Sequence, residues 1–174
     1  MRAFVGCPLS EQARAAIGAW LDACLPPGWR PVPLASLHLT FGFFGDQAEE
    51  LLALLAHRLR TAILPAVCRA NGGRVRPFPD RAAPLLALEL DATADLQALH
   101  DRMATLSASV GLPRDVRPFR PHITLARGRG DALDTICGIE LEFRELCIYH
   151  SIPQPGGGRR YLARECVRLS DRDR

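Results

Sequence analysis

The chain has 174 residues, 48% of them hydrophobic and 24% charged, with a formal net charge of +3. That length suffices for one domain with a sizeable core, and so small a charge excess excludes a protein that coats nucleic acid. All 22 basic residues are arginine, which the abundant Ala, Leu and Pro assign to genome composition rather than to function.

Residues 2–7 read as a short buried strand that stops at Pro8. Ser10 opens a helix with Glu11 in its first turn, where a carboxylate suits the helix dipole. Ala13, Ile17, Trp20, Leu21 and Cys24 recur at helical spacing until Pro26, Pro27 and Gly28 end it. A proline-punctuated stretch, Pro31 to Pro33, leads into a strand at 36–44. Gly45 and Asp46 begin a helix at 47–62, with Leu51, Leu52, Leu54, Leu55 and Leu59 on a wide apolar face. Residues 66–70 and 73–78 read as two strands around an Asn71-Gly72-Gly73 turn, a strong hairpin signal. A strand at 84–91 precedes a helix at 94–110 whose apolar face is Leu96, Leu99, Met103, Leu106 and Val110. The loop Gly111 to Arg120 leads to a strand at 121–127. Strands at 140–150 and 160–169 flank a loop at 153–158 which, like the proline-rich stretch at 26–33, is expected to be flexible. Each half runs strand, helix, strand, so the expected class is α+β, with two similar lobes whose sheets face each other.

The last strand of each triplet carries the same pattern: Leu37-His38-Leu39-Thr40-Phe41 and Pro121-His122-Ile123-Thr124-Leu125. Side chains alternate along a strand, so each string turns His and Thr to one face and apolar residues to the other. An imidazole and a hydroxyl then stand roughly 6.6 Å apart. One such string is an ordinary strand. Two in matching positions, each interrupting good packing residues, call for polar partners, because a buried polar group without one is costly. A phosphate in a cleft between them provides such partners. One neutral imidazole can remove a proton from water and one imidazolium can give a proton to a leaving oxygen, with histidine's ordinary pKa of about 6.5 suited to both. The threonine hydroxyls can hold the non-bridging oxygens. This scheme needs no metal, and neither string has a carboxylate or third histidine at motif spacing beside it.

Cys7, Cys24, Cys68, Cys137, Cys147 and Cys166 form no C-x-x-C pair and no zinc-finger spacing. The amino terminus lacks the apolar run of a signal peptide, and no stretch approaches the ~20 apolar residues of a membrane span. The expectation is a cytoplasmic protein away from membranes, with reduced, mostly buried thiols and no disulfide framework.

The two strings resemble the signature of the two-histidine phosphoesterases, and in particular the RNA 2′,3′-cyclic phosphodiesterases formerly called 2′-5′ RNA ligases. The resemblance spans nearly the whole chain: Arg2-Ala3-Phe4-Val5-Gly6, the first string with Phe44-Gly45, the stretch from Arg117 to Arg127, and Tyr149-His150-Ser151 followed by the glycine loop and Tyr161. It implies a single bilobal domain over 1–174 with pseudo-two-fold symmetry, and a cleft holding His38, Thr40, His122 and Thr124. It implies hydrolysis of a 2′,3′-cyclic phosphate at an RNA 3′ end to a 2′-phosphate, with His38 as proton donor and His122 as proton acceptor and no cofactor or metal. Phe41, Arg127, Tyr149 and Ser151 are the expected substrate contacts, and a monomer is expected. The strand from Leu85 offers leucines and alanine where an aromatic residue is often found, so base stacking would fall to Phe41, Phe44 or Tyr149. Arg120 is a second candidate for the phosphate or RNA backbone. His57 and His100 read as exposed helix residues, and His150 as a strand residue beside the cleft. Ligation through a 2′-5′ bond, action on a small nucleotide (an ADP-ribose cyclic phosphate or a 2′-5′ oligoadenylate), and non-catalytic capture of RNA ends remain open at this point.

Overall fold

The computed structural model describes residues 1–115, 117–155 and 158–170, and in them the chain forms three α-helices and ten strands. Strand β1 (Arg2–Pro8) leads to helix α1 (Glu11–Cys24), where the Ser10 hydroxyl accepts a hydrogen bond from the Ala13 N–H and closes the first turn. A short strand β2 (Trp29–Pro31) and a single 3-10 turn (Leu34–Ser36) precede β3 (His38–Asp46). Helix α2 (Glu49–Thr61), β4 (Cys68–Pro77), β5 (Leu85–Leu90) and α3 (Ala94–Ser109) follow. Then come β6 (His122–Gly128), β7 (Thr135–Ile136), β8 (Glu140–Phe143), β9 (Glu145–Pro153) and β10 (Arg159–Arg168). No helix among the described residues is long and apolar enough to cross a membrane.

The expected α+β class with antiparallel sheets is the one found. The strands run in the order β10-β9-β1-β3-β6-β5-β4-β7, with β2 beside β6 and β8 beside β4. In one half β1 lies antiparallel to β3, and in the other β5 lies antiparallel to β6, so the strand-helix-strand order of the sequence becomes two similar units. The two sheets are continuous through one register pair, Leu39 opposite Ile123. Both residues are fully buried, in a core shared with Ile17 of α1, Leu55 of α2 and Leu99 of α3. One face of the sheet is therefore covered by helices. The other face carries the polar residues of β3 and β6.

Three expectations are corrected. Asn71-Gly72-Gly73 is no hairpin turn, and β4 runs straight through it. A type I′ turn needs positive φ at its central residues, and neither glycine has it. Gly72 is small because neighbours are close: a Cβ there would lie 2.8 Å from the Cys137 carbonyl oxygen, and its N–H donates to the Ile139 carbonyl. The strand expected at 140–150 is two strands, β8 and β9, which pair with different neighbours, β4 and β1. Finally, Cys147 and Cys166 stand opposite each other in β9 and β10 and form a disulfide, while Cys7, Cys68 and Cys137 are buried thiols and Cys24 is an exposed one. Of the loop at 153–158, Gly156 and Gly157 lie outside the described residues.

Candidate active site

Strand alternation places His38 and Thr40 of β3 on the same face as His122 and Thr124 of β6, all four half-buried, with Leu39 and Ile123 turned into the core between them. The two histidines are held alike. The His38 Nδ1 lies 2.7 Å from the Ser36 carbonyl oxygen, and the His122 Nδ1 lies 2.8 Å from the Arg120 carbonyl oxygen. A carbonyl only accepts, so each Nδ1 carries the hydrogen and each Nε2 keeps its lone pair. Each imidazole thus has one nitrogen fixed by the backbone and one left for chemistry.

The surroundings of the two rings differ. Around His38 stand three aromatic rings: Phe4 stacked at 4.6 Å, Tyr161 edge-on at 5.1 Å and Tyr149 tilted at 5.9 Å. Burial pushes the Tyr149 phenol up to about 12, so it keeps its proton and remains a donor near neutrality. Beside His122, Phe78 stacks at 4.0 Å, and the Arg120 guanidinium lies 4.4 Å from the centre of that same phenyl ring. Glu89 stands directly across from His122 on β5, where Arg76 binds its carboxylate at 2.6 Å and Arg120 approaches it at 3.5 Å. The Arg76 hydrogen bond holds the Glu89 carboxyl below the usual range.

Both imidazoles have lowered pKa values. For His38 burial is the main cause, reinforced by the positive charges of His122 and Arg127 and opposed by the Ser36 carbonyl. For His122 burial again leads; Arg120 and Arg117 also lower it, while the Arg120 carbonyl and the Glu89 carboxylate raise it. Mutual repulsion favours a pair that holds one proton rather than two.

The remaining expected site residues separate. In β6 the register passes from Ala87 opposite Thr124 to Leu86 opposite Ala126, so Leu125 is an extra, bulged residue. The bulge returns exposed Arg127 to the histidine face, where its charge reaches His38. Tyr149 joins that face beside Phe4. Ser151 is 3% exposed, and its hydroxyl accepts from Arg159 Nε at 2.5 Å while its carbonyl accepts from Nη2 at 2.8 Å. Its part is to hold the Arg159 guanidinium, which sequence reasoning passed over. Phe41 is corrected: at 5% exposure it lies in the core, 5.6 Å from Phe119, on the side away from His38. Phe44 is equally buried.

Among the other histidines, His57 is exposed as expected. His100 is not: its ring stacks on Phe119 at 4.3 Å. His150 pairs with Ala3 in register, one residue out of phase with Tyr149, and so points away from the histidine face. Phe4 on β1, Arg76 on β4, Phe78 just after it and Glu89 on β5 reach the site only through the pairing of strands, which no spacing in the sequence announces. As for metal ligands, Glu145 gathers with the Cys147 and Cys166 sulfurs, which are already bonded to each other.

A model of the 2′-5′ RNA ligase superfamily matches residues 8–139. The chain belongs to that superfamily. Among curated proteins, it is 34% identical over 142 residues to an RNA 2′,3′-cyclic phosphodiesterase of Thermus thermophilus, covering 76% of this chain and 71% of the relative. An Escherichia coli protein of the same name is 31% identical over 140 residues, covering 76% and 74%. Among solved structures, TT0787 of Thermus thermophilus superposes with a TM-score of 0.83 at 29% identity, covering 99% of this chain and all of that one. Escherichia coli LigT complexed with 3′-AMP superposes with a TM-score of 0.79 at 26% identity, covering 98% of each chain.

Proposed function

We infer that this chain is an RNA 2′,3′-cyclic phosphodiesterase that opens the terminal cyclic phosphate to a 2′-phosphate by paired acid/base catalysis. The observation that carries the reading is the pair of imidazoles on one face, each tied at Nδ1 to a backbone carbonyl, each with a threonine two residues on. The names and close fit of the relatives support the substrate class.

The cyclic phosphate sits between the two Nε2 atoms. His122, neutral, takes a proton from water as the water oxygen attacks phosphorus, and the bond from phosphorus to the 3′ oxygen breaks. His38, protonated, gives its Nε2 proton to that departing oxygen. Thr40 and Thr124 donate to the non-bridging oxygens as their charge grows, and Arg127 adds a positive charge on the same face. After product leaves, His122 loses its proton to solvent and His38 regains one. Near symmetry makes the two roles chemically interchangeable; the donor and acceptor assignment follows the family resemblance. One chain supplies both histidines, so a monomer suffices.

The test is incubation of purified protein with an RNA oligonucleotide ending in a 2′,3′-cyclic phosphate, in EDTA, with the product's phosphate position determined. A 2′-phosphate product is the expected result. A 3′-phosphate, or turnover that EDTA abolishes, refutes this mechanism.

Proton traffic also sets a pH dependence. In the free enzyme the base must be neutral and the acid protonated, and both imidazoles titrate below the ordinary value of 6.5. The kcat/KM profile is therefore a bell with its maximum below about 6.5, rising with pH as the base deprotonates and falling as the acid does. The bound phosphate anion favours imidazolium, so the kcat profile lies to the alkaline side of it. Initial rates from pH 4.5 to 8.5 check this, and a kcat/KM still rising above pH 8 contradicts it.

A further inference from the structure

Among the described residues, Phe43 is the exposed aromatic side chain, at 47% exposure, while every other phenyl ring is buried or half-buried. Two irregularities in β3 bring it out. The register with β1 passes from Gly6 opposite Thr40 to Val5 opposite Gly42, skipping Phe41, and then from Phe4 opposite Phe43 to Ala3 opposite Gly45, skipping Phe44. Strict alternation from His38 would have turned Phe43 to the core side with Leu39 and Phe41. The first bulge instead sets it opposite Phe4, and residues directly opposite in an antiparallel pair share a face. Phe4 in turn stacks on His38 at 4.6 Å, so Phe43 continues the aromatic row that begins at the catalytic ring.

A cation accompanies it. The Arg2 guanidinium lies 4.8 Å from the Phe43 ring centre, with Asp46 opposite Arg2 in the strand register. A solvent-facing ring with a cation beside it is the combination that stacks a nucleobase while attracting the adjoining phosphate, without choosing between bases. Phe43 lies five residues beyond His38, or roughly 16 Å along the strand before the bulges shorten it. Phe4 occupies the place beside His38, so Phe43 stands one ring further out on the same face, where a base preceding the reacting nucleotide can lie.

We propose that Phe43, with Arg2 at its ring, is a stacking subsite for a base upstream of the cyclic end, giving the protein a preference for oligonucleotides over a single cyclic nucleotide. The proposal rests on the phosphodiesterase reading and adds a substrate-length determinant to it. Because the ring is exposed, its removal leaves the core untouched.

The experiment measures kcat and KM of the wild type, Phe43→Ala, Phe43→Leu and Phe43→Trp on two substrates: a nucleoside 2′,3′-cyclic monophosphate, and a four-nucleotide RNA ending in the same group. Stacking on one aromatic ring predicts that Phe43→Ala raises KM for the tetranucleotide about 5- to 150-fold. Phe43→Leu shows nearly the same loss, Phe43→Trp restores binding, and kinetics on the mononucleotide, which report the fold, stay unchanged for all three. An equal change on both substrates, or none on either, overturns the subsite, as does full retention of tetranucleotide binding by Phe43→Leu. Failure of the wild type to open either substrate removes the phosphodiesterase reading itself, an outcome distinct from turnover without length preference.

Discussion

Alanine in place of His38 or of His122 lowers kcat about 10²- to 10⁴-fold, and the double substitution costs far less than the product of the two losses. Each ring offers a single free nitrogen, and no other imidazole faces the site: His100 is stacked on Phe119 and His150 points away. No second imidazole is at hand to take over the lost proton transfer. The losses overlap because the proton taken from water and the proton given to the leaving oxygen move in one event. Once one partner is gone, the other has little left to assist. Single-turnover rates on a cyclic-phosphate RNA check this, and full turnover by either single variant removes that histidine from the mechanism. The pH profile separates the roles further: each variant loses one limb of the bell, the acid-side limb when the base is removed and the alkaline limb when the acid is.

Leu39→Ala destabilises the protein by about 2–5 kcal/mol, which for a domain near this size lowers Tm by roughly 5–15 °C. Leu39 is fully buried, it faces Ile123 in the one register pair that joins the two halves of the sheet, and Ile123 is itself fully buried. Truncation removes apolar contact and leaves a cavity beneath the strands that carry both histidines. The separation of the two Nε2 atoms depends on that join, so residual activity falls as well, since small errors of placement weigh heavily on a two-sided proton transfer. Thermal or urea denaturation gives the first effect and kcat on the folded variant the second. A Tm within 2 °C of the wild type shows that the join contributes less than its burial implies.

Much of the site was legible because it is written locally. His and Thr two apart in a strand share a face whatever the rest of the chain does, and two copies define the pair. The order of helices followed from apolar spacing and from Ser10 as a cap. What stayed hidden depends on register. Phe41 looked like a stacking residue because it adjoins the first string, yet plain alternation sends it to the core. Phe43 and Arg127 face the site only because bulges shift the phase of β3 and β6. Asn71-Gly72-Gly73 looked like a turn because glycine serves turns and close approaches alike, and only its neighbours decide which. Cys147 and Cys166 meet because β9 and β10 pair, not because of any spacing between them.

The grip on each imidazole is a main-chain carbonyl, at Ser36 and at Arg120, and among the described residues no carboxylate side chain fixes either tautomer. Every amino acid supplies that acceptor. Positions 36 and 120 can therefore drift through many residue types while the protonated nitrogen of each ring stays where it is. Selection on the orientation of the two imidazole rings acts on the path of the backbone, and the side chain at position 120 is left free to serve Phe78 and Glu89 instead.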